Sequence, residues 1–198
     1  KAMADGKFDK KHLTALHLRQ MSNLGSAELT AALEKTWGKF NPTNESAKAT
    51  IAKYKKLYGE APLWAYDAGK GREVFNKTCA TCHAHGGGEA KIGPDLGGTW
   101  RNGVDYFLEN IADPNAVIGD AFQLTILTKK DGSVVAGAVE KESAESVTVR
   151  TLTEALAIPT ADIAKREKLA QSLMPPGLLE ALPEREVIEL LKWLATDQ

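Results

Sequence analysis

Cysteine is scarce. The 198-residue chain has two, Cys79 and Cys82, which excludes a disulfide-stapled scaffold and a four-cysteine zinc or iron–sulfur site. Long apolar runs are missing as well, and none approaches the roughly 20 residues that a membrane-spanning helix needs. Neither sign of charge dominates: 25 Lys+Arg stand against 26 Asp+Glu, a balance that argues against nucleic acid as the main partner. The sequence shows no internal repeat and no low-complexity tract. Its start, Lys1-Ala-Met-Ala-Asp-Gly6, has neither the apolar stretch nor the cleavage pattern of a signal peptide. We read the chain as a piece of something longer.

What is present reads as a globular protein, with 43% hydrophobic and 26% charged residues. The length suits one domain with an appendage, or two small ones. Charge is distributed unevenly: residues 1–60 carry 11 Lys+Arg against 6 Asp+Glu, and the remainder 14 against 20. The basic part reads as three helices. The first runs from about Asp9 to Met21. The second follows Ser26 as N-cap, carries Leu29, Leu33 and Trp37 on one stripe, and stops at Gly38. The third follows Asn44, carries Ile51 and Tyr54, and ends at Gly59, ahead of Pro62. A fourth helix is expected over about Ala68–Thr81 and a short one over Val104–Ile111. The period then changes. Phe122–Thr128, Val134–Glu140 and Val147–Leu152 read as strands, with Asp131-Gly132 as a hairpin turn and Ala157-Ile158-Pro159 as a possible fourth strand. From Asp162 the pattern reads as helical again, breaks at Pro175-Pro176-Gly177, and resumes in a last helix over Glu184–Ala195.

The chemistry-bearing motif is Cys79-Ala-Thr-Cys82-His83. A C-x-x-C-H run is the pattern for covalent attachment of c-type haem. Two thiols one helical turn apart can add across the two vinyl groups, and a His directly after them brings its imidazole to the iron. The competing readings are a dithiol redox pair and a zinc site. A thioredoxin-like pair wants a βαβ context, whereas a helix precedes this motif. Zinc would need further ligands from four His and scattered carboxylates. Gly71, Phe75 and Cys79 lie four apart and share a helix face. Glycine there costs about 1 kcal/mol in helix propensity relative to Ala, which points to a second helix passing very close; Val187, Leu190, Leu191, Trp193 and Leu194 of the last helix offer the partner surface.

Gly93-Pro94-Asp95-Leu96 follows the motif. A ligating His is usually fixed through its other ring nitrogen, and the Pro94 carbonyl is the candidate acceptor for His83, with Leu96 pressing on the porphyrin. Trp100, Tyr106 and Phe107 are expected to wall the group. Met174, immediately before Pro175 ahead of the last helix, is the candidate sixth ligand, a soft thioether that raises the iron's potential. His85 stands too close to His83 to reach the opposite face of the ring. Met3, Met21 and His12 lie in the N-terminal helices, and His17 there is the competitor to weigh if that region folds over the pocket.

These motifs, with Gly71-Arg-Glu-Val-Phe75 and Ser172-Leu-Met-Pro175, resemble a class I cytochrome c. More narrowly, the chain is similar to the haem-binding domain family of planctomycetes and verrucomicrobia. Asn110-Ile-Ala-Asp-Pro-Asn115, Thr128 to Gly137 and Ile158-Pro-Thr-Ala-Asp-Ile163 also fit that family. The likeness covers about residues 68–197. Residues 1–60 resemble the end of the helical-repeat region that commonly precedes such a domain. The resemblance implies a mainly α fold: a class I cytochrome c fold with a small inserted antiparallel β-sheet at about 120–160 and an N-terminal three-helix extension. The implied division is 1–62 for the extension and 63–198 for the haem domain. It further implies one haem c, His83 and Met174 as axial ligands 91 residues apart, single-electron transfer rather than enzymatic turnover, a redox partner protein or upstream dehydrogenase domain, and a periplasmic or exported location. The alternative function is a gas-binding or sensing haem in which Met174 is labile. No distal His/Arg pair with peroxidase spacing is visible. An exposed sheet edge in the insertion could pair between subunits.

Overall fold

A computed structural model describes residues 15–22, 24–37, 43–87, 91–119 and 122–196; of the side chains of 15, 16, 19, 36 and 37 it gives no account. The expected helix start at Asp9, the stop at Gly38, and Met3 and His12 lie outside the described residues. Among the described residues there are six α-helices: α1 Ala15–Ser22, α2 Ala27–Trp37, α3 Glu45–Glu60, α4 Ala68–Thr78, α5 Gly103–Ala112 and α6 Glu184–Leu194. Between α5 and α6 the described residues form five strands: β1 Gln123–Lys129, β2 Val134–Glu142, β3 Ser146–Arg150, β4 Ala155–Pro159 and β5 Ile163–Ser172. No helix among the described residues is long and apolar enough to cross a membrane.

Local chemistry sets the helix starts. Asn44 caps α3, its Oδ1 accepting the Ala47 N–H at 2.8 Å. Asp67 caps α4 by accepting the Gly69 N–H at 2.7 Å. α4 and α6 cross at Gly71, where a β-carbon would stand 2.0 Å from the Glu189 carbonyl oxygen and 2.8 Å from Trp193 Cβ. Only glycine admits that approach, so the helix propensity lost at Gly71 is offset by burial along the crossing. Val74 and Phe75 of α4, Tyr54 of α3 and Phe107 and Leu108 of α5 complete one core with Leu190 and Leu191 of α6.

The strand content corrects the expectation of a mainly α fold. The sheet has five antiparallel strands in the order β4-β3-β2-β1-β5, and it extends to Ser172 rather than ending near residue 160. The segment from Asp162, whose Lys165-Arg-Glu-Lys168 composition reads as helical, is strand β5. It pairs with β1, setting Leu127 opposite Arg166 and Thr125 opposite Lys168. Without β5, β1 would present an open row of N–H and C=O groups, and long-range pairing outweighs a local helical preference. One 3₁₀ turn, Thr160–Asp162, joins β4 to β5. Thr160 N–H donates to Glu145 O at 2.9 Å and Lys130 N–H to Asp162 O at 2.8 Å, so this turn bridges the β2–β3 and β1–β2 turns and the sheet curls. Leu127, Val147, Val149 and Ile158 form its own apolar core. A third cluster holds Leu18 and Leu33 of α1 and α2 against Ala116 and Val117, just beyond α5.

Candidate functional site

α4 leads directly into the two thiols. Cys79 N–H donates to Phe75 O at 2.7 Å, and the chain keeps winding: Cys82 N–H and His83 N–H both reach Cys79 O, at 3.0 and 2.9 Å. This one turn carries both cysteines, free and half-buried, just ahead of the imidazole. Burial pushes the Cys79 thiol up to about 11, and the neighbouring Cys82 adds to the effect. Burial also raises Cys82, with the Lys91 ammonium pulling the other way. A reactive redox dithiol needs the reverse, a thiolate favoured by positive surroundings.

His83 Nδ1 stands 2.8 Å from the Pro94 carbonyl oxygen. A carbonyl only accepts, so Nδ1 carries the proton and Nε2 keeps a lone pair free for a metal. Burial holds the imidazole's pKa below its ordinary value; the Pro94 hydrogen bond raises it and Lys91 lowers it. Close backbone approach makes the geometry possible. A β-carbon on Gly93 would meet His83 Cε1 at 2.7 Å and the Cys82 carbonyl at 2.9 Å.

The segment after His83 is zipped to the 93–97 loop. Gly93 N–H donates to Cys82 O at 2.8 Å and Leu96 N–H to Ala84 O at 2.9 Å. Asp95 finishes the seam, its carboxylate accepting N–H groups of Gly86 at 3.0 Å, Gly87 at 2.8 Å and Gly97 at 2.8 Å. The Gly97 and Gly87 bonds, foremost, hold its carboxyl below the usual carboxylate range. The sequence motif assigns Asp95 no role of its own, although Pro-Asp-x-Gly is a turn signal in which Asp bonds backbone two residues on.

Leu96 and Trp100 pack on the same apolar core as Cys79. The Trp100 ring lies 5.1 Å from Phe107 and 5.8 Å from Tyr58, which the helical stripe of α3 carries but to which the sequence reading gives no part in the site. His85 sits with its ring centroid 4.2 Å from that of Trp193 and 5.9 Å from that of Phe75; among the described residues neither of its ring nitrogens has a hydrogen-bond partner. Met174 is half-buried on a separate segment between β5 and α6, outside the cluster that gathers Cys79, Leu96 and Trp100. Its N–H donates to Ser172 Oγ at 3.1 Å, and the Ser172 N–H donates to Asn115 Oδ1 at 2.8 Å. His17 is exposed on α1.

The donor set suits a haem c: two free thiols on one turn, an imidazole with one nitrogen committed to a carbonyl, and an apolar wall. Cys79 and Cys82 could hold such a group covalently, and His83 Nε2 could bind its iron. A family model described as cytochrome c oxidase, cbb3-type, subunit III matches residues 67–120. The match runs from the cap of α4 through the cysteine motif and α5, and it supports a cytochrome c haem-binding domain. No curated protein matches the chain.

Proposed function

We propose that the chain is a c-type cytochrome electron-transfer module carrying one haem through Cys79 and Cys82, with His83 and Met174 as axial ligands. The single observation that carries this reading is the His83–Pro94 hydrogen bond at 2.8 Å beside two free thiols. It prepares one imidazole nitrogen for iron at the place where the motif needs it. A bound haem would supply a one-electron couple whose potential follows from its axial ligands and surroundings.

The protein's own residues do the rest. The α4–α6 crossing at Gly71 fixes the helix that ends in Cys79. Leu96, Trp100 and Phe107 provide an apolar, water-excluding wall, and Pro94 fixes the tautomer and orientation of His83. The raised thiol pKa values speak against a dithiol redox module. We take residues 63–198 as the haem domain and 1–62 as its helical extension, of which α3 packs into the shared core. The narrower likeness to the planctomycete and verrucomicrobial family, an exported location, and a redox protein or dehydrogenase domain as partner belong to the same proposal.

Mass spectrometry and absorption spectroscopy of material made with a working haem-attachment system test it. The expected result is one haem's mass on the polypeptide and a low-spin spectrum in both redox states. Met174→Ala should keep the covalent group while giving a high-spin spectrum and a lower potential. An unmodified mass would sink the proposal. Rapid and complete carbon monoxide binding by the reduced wild type would favour gas binding instead.

A further inference from the structure

Resting on the reading of Met174 as distal ligand, we infer that Asn115 is a positioning residue for it. Asn115 lies between α5 and β1, and its Oδ1 accepts the Ser172 N–H at 2.8 Å. The Ser172 hydroxyl in turn accepts the Met174 N–H at 3.1 Å. Two hydrogen bonds therefore run from the α5–β1 loop to the backbone of the methionine. Pro175 and Pro176 follow directly and have no N–H to donate, so that side of Met174 lacks two amide anchors and the upstream bonds matter more.

Asn115 offers its oxygen from a stretch, 113–117, that is held on both sides. Two residues before it, the buried Asp113 carboxylate accepts the Asn44 backbone N–H at 3.0 Å and the Asn44 side-chain amide at 3.1 Å, tying the loop to the start of α3. Directly after it, Ala116 and Val117 are buried with Leu18 and Leu33 of α1 and α2. Ser172 is fixed from a third side, since it pairs with Gln123 at the start of β1. The chain's entry to the sheet and its exit thus meet where Asn115 holds Ser172, two residues from Met174. This gives the sheet and the N-terminal helices a shared task, which is to hold a methionine that lies, among the described residues, outside the cluster gathering Cys79, Leu96 and Trp100. A sulfur ligand competes with external ligands according to the fraction of time it is off the iron, and the fixity of its backbone biases that fraction.

The test uses the haem-loaded chain as wild type, Asn115→Ala, Asn115→Asp and Met174→Ala. Loss of one ordinary hydrogen bond shifts an open–closed equilibrium by about fivefold. Asn115→Ala should therefore speed carbon monoxide binding to the reduced form by about fivefold, lower the potential in the same direction as Met174→Ala but less, and raise hydrogen exchange at the Ser172 and Met174 amides. Asn115→Asp, which keeps an accepting oxygen, should restore all three. If Asn115→Ala lowers thermal stability but leaves the carbon monoxide rate and potential at wild type while Met174→Ala moves both, the positioning role is overturned and the ligand reading stands. If Met174→Ala itself changes neither spectrum nor rate, the ligand reading fails and this inference falls with it. Should Asn115→Ala not fold, Ser172→Ala interrupts the same link at the hydroxyl, and unchanged rate and exchange in that variant would equally overturn it.

Discussion

Gly93 and Asp95 shape the loop beside His83 in different ways, one by leaving room for its ring and the other by accepting backbone N–H groups on both sides of the seam. A methyl at Gly93 would need room that the His83 ring and the Cys82 carbonyl occupy, at 2.7 and 2.9 Å. Gly93→Ala should therefore destabilise the fold by about 1–3 kcal/mol, the usual range for overpacking, and a urea midpoint lower than wild type at unchanged slope is the measurement. A neutral midpoint would mean that the loop yields. Asp95 acts through its charge, accepting three backbone N–H groups. Its carboxyl is held below the ordinary value of 3.8 by those bonds, so its contribution is complete above that value and is lost as pH falls through the lowered one. Wild type should lose stability in that acid window more steeply than Asp95→Asn, as followed by thermal melts across the pH series. Parallel acid limbs would show that the seam does not depend on the charge.

At the scale of elements, Asp113 links two of them. Its buried carboxylate holds the residue that caps α3, so helix start and loop stand or fall together. Asp113→Ala should cost about 1–3 kcal/mol by leaving the Asn44 donors without their acceptor, and Asp113→Asn should recover part through its amide oxygen; chemical denaturation of the two variants decides it. The elements also mark what the sequence discloses. Helices α3 to α6 and the first four strands follow from caps, periodicity and the Asp131-Gly132 turn, signals carried within each segment. β5 does not, because Lys165-Arg-Glu-Lys168 favours a helix in isolation and becomes a strand only through the open edge of β1, some forty residues upstream. The site divides along the same line. Cys79, Cys82, His83 and Pro94 lie within one short stretch, where spacing alone implies chemistry. Asn115 and Tyr58 bear on the site through contacts across the fold, and no local pattern announces such contacts.

In the whole molecule the apolar residues fall into separate clusters, and this has consequences for how the chain opens. Leu191 is fully buried in the helical core that includes Phe75 and Phe107. Leu127 is fully buried in a cluster that, among the described residues, is made of sheet residues, with Val147, Val149 and Ile158. The chain passes between the two bodies only through the segments flanking the sheet, near the point where Ser172 meets Gln123 and Asn115. Regions with their own cores open with their own free energies. Replacing either leucine with alanine removes about 2–5 kcal/mol of burial and cavity energy, and that loss should stay within the body concerned. Leu127→Ala is expected to lower hydrogen-exchange protection of the strand amides while α6 keeps its own, and Leu191→Ala to do the opposite. If either variant lowered both sets equally, helices and sheet would form one cooperative unit. The sheet would then contribute to the stability of the helical body itself, beyond fixing Ser172 and the methionine that follows.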